Sequence, residues 1–230
     1  MANNGFNAAT DIFNLGNKWA VKSASKNASV STAECPNIFN DVAARDAFGN
    51  RIAPSAEYDL AGDVTSLPAL GTIVTIDTKK VMLTQIVVRT SRGAAPSATV
   101  SGVEVEAGAT TGRTYSCGTI ALTTRHRAQD ILGLYGATVP DTLTEAIFTF
   151  SIEPSVNDPK GVITSSDCGG GKVVAQYTHT TATTAAVAAP SVTGNTKVVS
   201  EPVTDDKAEN DYITVRCSVT DSLTGAEPAS

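Results

Sequence analysis

Few residues in this chain are of types that carry chemistry. The histidines are His126 and His179, and the cysteines are Cys35, Cys117, Cys168 and Cys217. A hydrolytic triad needs a nucleophile, an adjacent base and an acid that orients the base. His126 stands between Arg125 and Arg127 at the start of a candidate helix, where both neighbours and the helix dipole oppose its charged form. The position fits an anion site at a helix amino end, and a solvated helix start fits it better. His179, within THTT, reads as a surface residue at a sheet rim.

The most enzyme-like string is SSDCGGGK, Ser165 to Lys172. A phosphate-binding loop needs GxxxxGK followed by Ser or Thr, between a strand and a helix. Here Val173 and a strand pattern follow Lys172, so the string reads as a tight turn into KVVAQYTHT. Cys168 has no partner base visible in the sequence. VTDDKAEND offers Asp205, Asp206, Glu209 and Asp211 as oxygen ligands for calcium, but without EF-hand spacing, and reads as a polar turn. The cysteines form no CxxC pair, which disfavours a zinc ribbon or a thioredoxin-type centre. They read as four reduced, buried thiols, with two disulfides as the alternative. Asn27-Ala28-Ser29 fits a glycosylation sequon that matters only on export. No catalytic, cofactor-binding or metal-binding residue is assigned, and the expectation is a protein that is not an enzyme and uses no cofactor.

The elements that would position such groups are β-rich. Apolar residues make up 41% and charged residues 17% of the 230, and Thr, Ser, Ala, Asn and Gly fill the deficit. Those residues suit strands and turns. Aromatic residues are only 5%, so a core must be built largely from Val, Ile, Leu and Ala. The formal charge of −6 argues against a general nucleic-acid binder, which needs clustered Lys and Arg. Charge is nevertheless uneven: from Lys79 to Arg127 seven basic residues face only Glu104 and Glu106. Such a split suits contacts between unlike faces of neighbouring copies, and it also describes a solvated basic face. The amino terminus lacks a basic and then apolar leader, and no window approaches the run of about 18 apolar residues that spans a membrane as a helix. The chain is expected to be made and used in the cytosol.

Periodicity predicts an irregular amino-terminal arm over residues 1–55, with a short strand around Trp19 to Lys22. The arm also holds a candidate short helix from Asp41 to Phe48, capped by Asn40 and stopped by Gly49. A single β domain follows over 56–220, of roughly eight to ten strands, and a mobile tail over 221–230. Within the domain, AEYDLAG, TIVTIDT, VMLTQIVVRT, ATVSGVEVE, TYSCGTIALTT, TEAIFTFSI, KVVAQYTHT, TKVVSEPV and YITVRCSVT read as strands. Thr144, Ala146, Phe148, Phe150 and Ile152 should share one core face, and Ile213, Val215, Cys217 and Val219 another. TRHRAQDILGLYG, capped at Thr124 and stopped at Gly136, reads as one short helix of about three turns. The fold class is therefore mainly β: an antiparallel β-sandwich or barrel with one short inserted α-helix.

The clearest signal is VMLTQIVVRTSRGAAPSATVSGVEVEAG, Val81 to Gly108. It reads as a hairpin whose first strand is apolar on both faces, as a strand meeting a second apolar surface would be. Arg89 and Arg92 would stand against Glu104 and Glu106, across the hairpin or between copies. With Arg125 and Arg127 on the helix, these are the candidate assembly residues.

From EYDLAGDVTSLPALGTIVTID through LTQIVVRTSRGAAPSATVSGVEVEAG to TIALTTRHRAQDIL, strands, loop, returning strand and short helix together resemble the virion structural proteins of tailed bacteriophages, and within them the major tail or tail-tube proteins. The similarity is at the level of fold pattern and covers about a third of the chain. It implies a sandwich or barrel protomer that forms homo-oligomeric rings or tubes, with arms and loops reaching the rings above and below. It also implies other virion proteins as partners, DNA that passes through without specific binding, no membrane, and a location in the virion after assembly in the host cytoplasm. Net acidity would suit a lumen past which DNA slides. A capsid decoration or other head protein shares this composition. A bacterial β-sandwich adhesion or carbohydrate-binding module is the other alternative, although such modules display aromatic platforms and this chain has one Trp.

Overall fold

The computed structural model describes residues 10–36, 42–91, 93–122, 143–157, 162–182, 198–199, 203–204 and 212–226. They form fourteen strands and, among the described residues, no helix. The strands are β1 (Trp19–Pro36), β2 (Val42–Leu60), β3 (Val64–Ser66), β4 (Ile73–Ile76), β5 (Lys79–Ser91), β6 (Ser97–Glu104), β7 (Thr114–Tyr115), β8 (Thr119–Leu122), β9 (Leu143–Asn157), β10 (Ser165–Ala182), β11 (Val198–Val199), β12 (Val203–Thr204), β13 (Tyr212–Ser222) and β14 (Gly225–Ala226). Ten of them make one antiparallel sheet in the order β1-β2-β6-β5-β9-β10-β13-β11, with β4 also on β5 and β12 on β13. The path is open, with β1 at one end and β11 at the other. β3 with β8 and β7 with β14 form two small antiparallel pairs.

The core lies on one face of the large sheet, and the register explains its composition. One row runs across six strands as Tyr58, Ala98, Val88, Phe148, Ala175 and Val219, each no more than 2% exposed. The next row runs Ala56, Val100, Ile86, Phe150 and Val173, also buried. Phe148 and Phe150 follow one another along β9 with ring centroids 6.5 Å apart. Each such side chain contributes about 1.5–3 kcal/mol on burial. The alternation expected for β9 holds from Ala146 onward: Ala146, Phe148, Phe150 and Ile152 are all buried, while Thr144 is half-buried. On β13, Val215 and Val219 are buried as expected.

Segments outside the sheet cover this face. Tyr58 donates its hydroxyl to Asp11 Oδ1 at 2.9 Å, and Asp11 Oδ2 accepts the Gly16 N–H at 2.8 Å. These bonds hold Phe13 over Gly102, where a Cβ would come within 3.3 Å of the Phe13 ring and 2.6 Å of Val81 Cγ1. Leu67, Leu70, Val105, Tyr115, Cys117 and Leu122 belong to the same core cluster.

Several expectations are corrected. The strand expected around Trp19 to Lys22 is the start of a longer one, and residues 23–36 and 42–55 are not an irregular arm: β1 and β2 pair from Trp19↔Leu60 to Pro36↔Val42. Of the helix expected from Asp41 to Phe48, Asp41 lies outside the described residues and Val42 to Phe48 fall on β2, where partnership with β1 satisfies the backbone in an extended form and overrides weak helix signals. SSDCGGGK is no turn but the first part of β10, bulged so that Gly170 and Gly171 have no partner on β9. Gly170 takes φ +63° there, and Tyr115 lies against Gly171 where a side chain would otherwise stand. TYSCGTIALTT is two strands with different partners, β7 and β8, separated at Gly118, which has φ +75°. The expected mobile tail is tied down as far as Ala226, since β14 pairs with β7 and Leu223 donates its N–H to the Gly171 carbonyl. The helix expected over Thr124 to Gly136 lies outside the described residues.

The two-faced apolar pattern of β5 also has a local cause. Val81 and Leu83 face the same side as Ile86 and Val88, because Thr84 is an extra residue between Leu83↔Gly102 and Gln85↔Ser101. A bulge of this kind reverses which parity points inward. Much of the apolar character on both alternating sets therefore serves one core. Met82, on the opposite parity, is buried as well and is paired with Ile73 of β4.

Candidate functional site: the root of the β1–β2 ribbon and the β5–β6 hairpin

Three features meet at the level of Ser101. The β5 bulge falls there, and the Thr84 hydroxyl donates to the Ser101 carbonyl at 3.3 Å. β5 exchanges neighbours: β6 occupies one edge throughout, while the other pairs with β4 up to Met82 and with β9 from Gln85. And β2 leaves β6, their pairing ending at Ser55↔Ser101 although β6 continues to Glu104. Beyond that point, among the described residues, β2 pairs only with β1, and residues 42–54 run on with their β1 partners as a two-stranded ribbon. At about 3.3 Å per residue the ribbon is roughly 40 Å long.

The residues at its root carry opposite charges. Lys79 Nζ donates to Glu104 Oε2 at 2.8 Å, and the same oxygen accepts the Ile52 N–H at 2.8 Å. The Glu104 side chain is 14% exposed and that of Lys79 31%, so the pair is partly withdrawn from water and stronger than a fully solvated one. Lys26, which faces Pro54 across β1 and β2, donates to Asp77 Oδ2 at 3.0 Å. Asp77 and Thr78 form the two-residue turn between β4 and β5, with φ +47° and +70°, the backbone of a type I′ hairpin.

The candidate assembly residues separate in this geometry. Arg89 is exposed near the loop end of β5, opposite Ser97 and Ile147. Glu104 is at the other end of the hairpin, opposite Val81, so the expected pairing of Arg89 with Glu104 across the hairpin is replaced by Lys79 with Glu104. Glu106 is half-buried, and its Oε2 has no hydrogen-bond partner among the described residues. It lines a recess of about 40 Å³ with Arg113, Asp167 and Cys168, room for a few waters rather than an organic substrate. Arg92, Arg125 and Arg127 lie outside the described residues, as do His126 and Asp205 to Asp211.

The remaining chemical groups are packed inward. Cys117 and Cys168 are free and buried, and their thiols donate to the Pro68 and Arg113 carbonyls. Burial pushes the Cys117 thiol up to about 12. Burial, then neighbouring Asp167, raises that of Cys168, with Arg113 opposing. Neither is held as the thiolate that nucleophilic chemistry needs. His179 is not at the surface: it is 8% exposed, on the inward face of β10 beyond Val173, Ala175 and Tyr177. Burial lowers its affinity for a proton. Sequence reasoning missed Lys79, Lys26 and the Ile52 amide as partners at the root, because strand register alone brings them together. Among the described residues no helix is long and apolar enough to cross a membrane.

No family model matches the chain, and no curated protein is detectably similar to it.

Proposed function

We infer that the chain is a non-enzymatic structural subunit that assembles with copies of itself, and specifically the tail-tube (major tail) subunit of a tailed-phage virion. The observation that carries the assembly reading is the ribbon. A two-stranded element roughly 40 Å long has little core of its own and is at best marginally stable in isolation. It is well shaped to lie on a neighbouring protomer, where its backbone and side chains gain contacts. The open sheet supports the same reading, since β1 runs for 18 residues along one end of it with no second strand partner among the described residues, and unpaired strand edges are templates for association.

On this reading the large sheet and the two small strand pairs over its core face form a β-sandwich or barrel protomer, and exposed Arg89 belongs to a contact with an unlike face of the next copy. The net charge of −6 fits a tube wall past which DNA moves without binding, and other virion proteins would contact the tube ends. Sedimentation velocity on the full chain tests self-association. Species many times heavier than the 23.6 kDa protomer are expected as concentration rises, and a single protomer-sized boundary at every concentration refutes the reading.

A further inference from the structure

The ribbon needs a device that stops β2 from continuing along β6, because β6 offers three more residues beyond Ser101. Extending the register would place Pro54 opposite Gly102 and Ile52 opposite Glu104. Amide groups along a strand alternate in direction, so positions 52 and 54 present theirs to the same side. The Ile52 N–H points to β6, since it reaches Glu104. Pro54 therefore stands where an N–H would be needed to continue the ladder, and proline has none. Two residues on, the Ile52 N–H that would resume the ladder is taken by the Glu104 side chain instead of a β6 carbonyl.

We propose that Pro54 and Glu104 form a built-in stop that releases β2 from the sheet, and that Glu104, held by Lys79, is the positioning residue that roots the ribbon. Lys26 bonded to Asp77 braces the same point from β1. The ribbon thereby leaves the domain as a rooted arm rather than as a loose loop. This concerns the protomer and stands or falls apart from the assembly reading.

Amide hydrogen exchange on the full chain, under conditions in which it is dispersed, tests it. Glu104→Ala should speed exchange at the Ile52 amide and along residues 26–36 and 42–54 by about tenfold or more, with the amides of β5 and β9 unchanged. Glu104→Gln keeps an acceptor and should retain most of the protection even if the alanine variant folds poorly. The exchange Lys79→Glu with Glu104→Lys preserves opposite charges but removes the acceptor, and should not restore it. Pro54→Ala should give a slowly exchanging amide at position 54 as β2 zips further along β6. Ribbon exchange equal in wild type and Glu104→Ala overturns the proposal. So does full protection in the charge-swapped double variant, or a fast amide at position 54 in Pro54→Ala.

Discussion

Arg89 and Glu104 occupy opposite ends of the β5–β6 hairpin, roughly 25 Å apart along the strands, one across from Ser97 and the other from Val81. Glu104 is satisfied at home by Lys79 and the Ile52 amide. Arg89 is exposed and has no ion-pair partner among the described residues, and the proposed assembly assigns its charge to a contact with another copy. Arg89→Glu should therefore weaken assembly while leaving protomer stability within about 0.5 kcal/mol of wild type, as exposed substitutions do. Sedimentation and urea unfolding, measured side by side, separate the two effects.

Gly102 has no room for a side chain. A Cβ there would stand 2.6 Å from Val81 Cγ1 and 2.7 Å from the Met82 carbonyl oxygen, with Phe13 close behind. Gly102→Ala is expected to cost about 1–3 kcal/mol, the usual range for overpacking a filled core. A lowered denaturation midpoint with unchanged m-value would show it.

These relationships mark where the sequence could be read and where it could not. The inward face of β9 was legible because Ala146, Phe148, Phe150 and Ile152 alternate without interruption against one core. β5 looked two-faced because the bulge at Thr84 is invisible to strict alternation, although it changes which residues point inward. Gly170 and Gly171 looked like a turn because bulges and turns demand the same backbone freedom. The β1–β2 ribbon left no periodic signal, since much of it lies beyond the sheet and its strands satisfy each other through backbone bonds. The partners of Glu104 lie 25 and 52 residues away, a separation that register decides and local sequence does not.

His179 supplies a pH dependence. Burial holds its imidazole below the ordinary 6.5, so between the folded and unfolded values the unfolded chain binds the proton that the folded chain does not. Stability from this group is complete above pH 6.5 and declines as pH falls through the lowered folded value. Urea unfolding at pH about 7.5 and about 5.5 should show a smaller loss for His179→Leu than for wild type.

Cys117 and Cys168 should resist alkylation in the native protein. Both are buried, with thiols raised above their usual range, and the thiolate is the reactive form. Peptide mapping after iodoacetamide treatment should find them unmodified natively and modified once the chain is unfolded.

Negative-stain electron microscopy of the purified chain at assembling concentrations tests the central claim most directly. The proposal predicts rings or stacked tubes of uniform diameter for wild type, and their loss in Arg89→Glu. A field of dispersed monomers or compact trimers, unchanged with concentration, would contradict a tube-forming subunit.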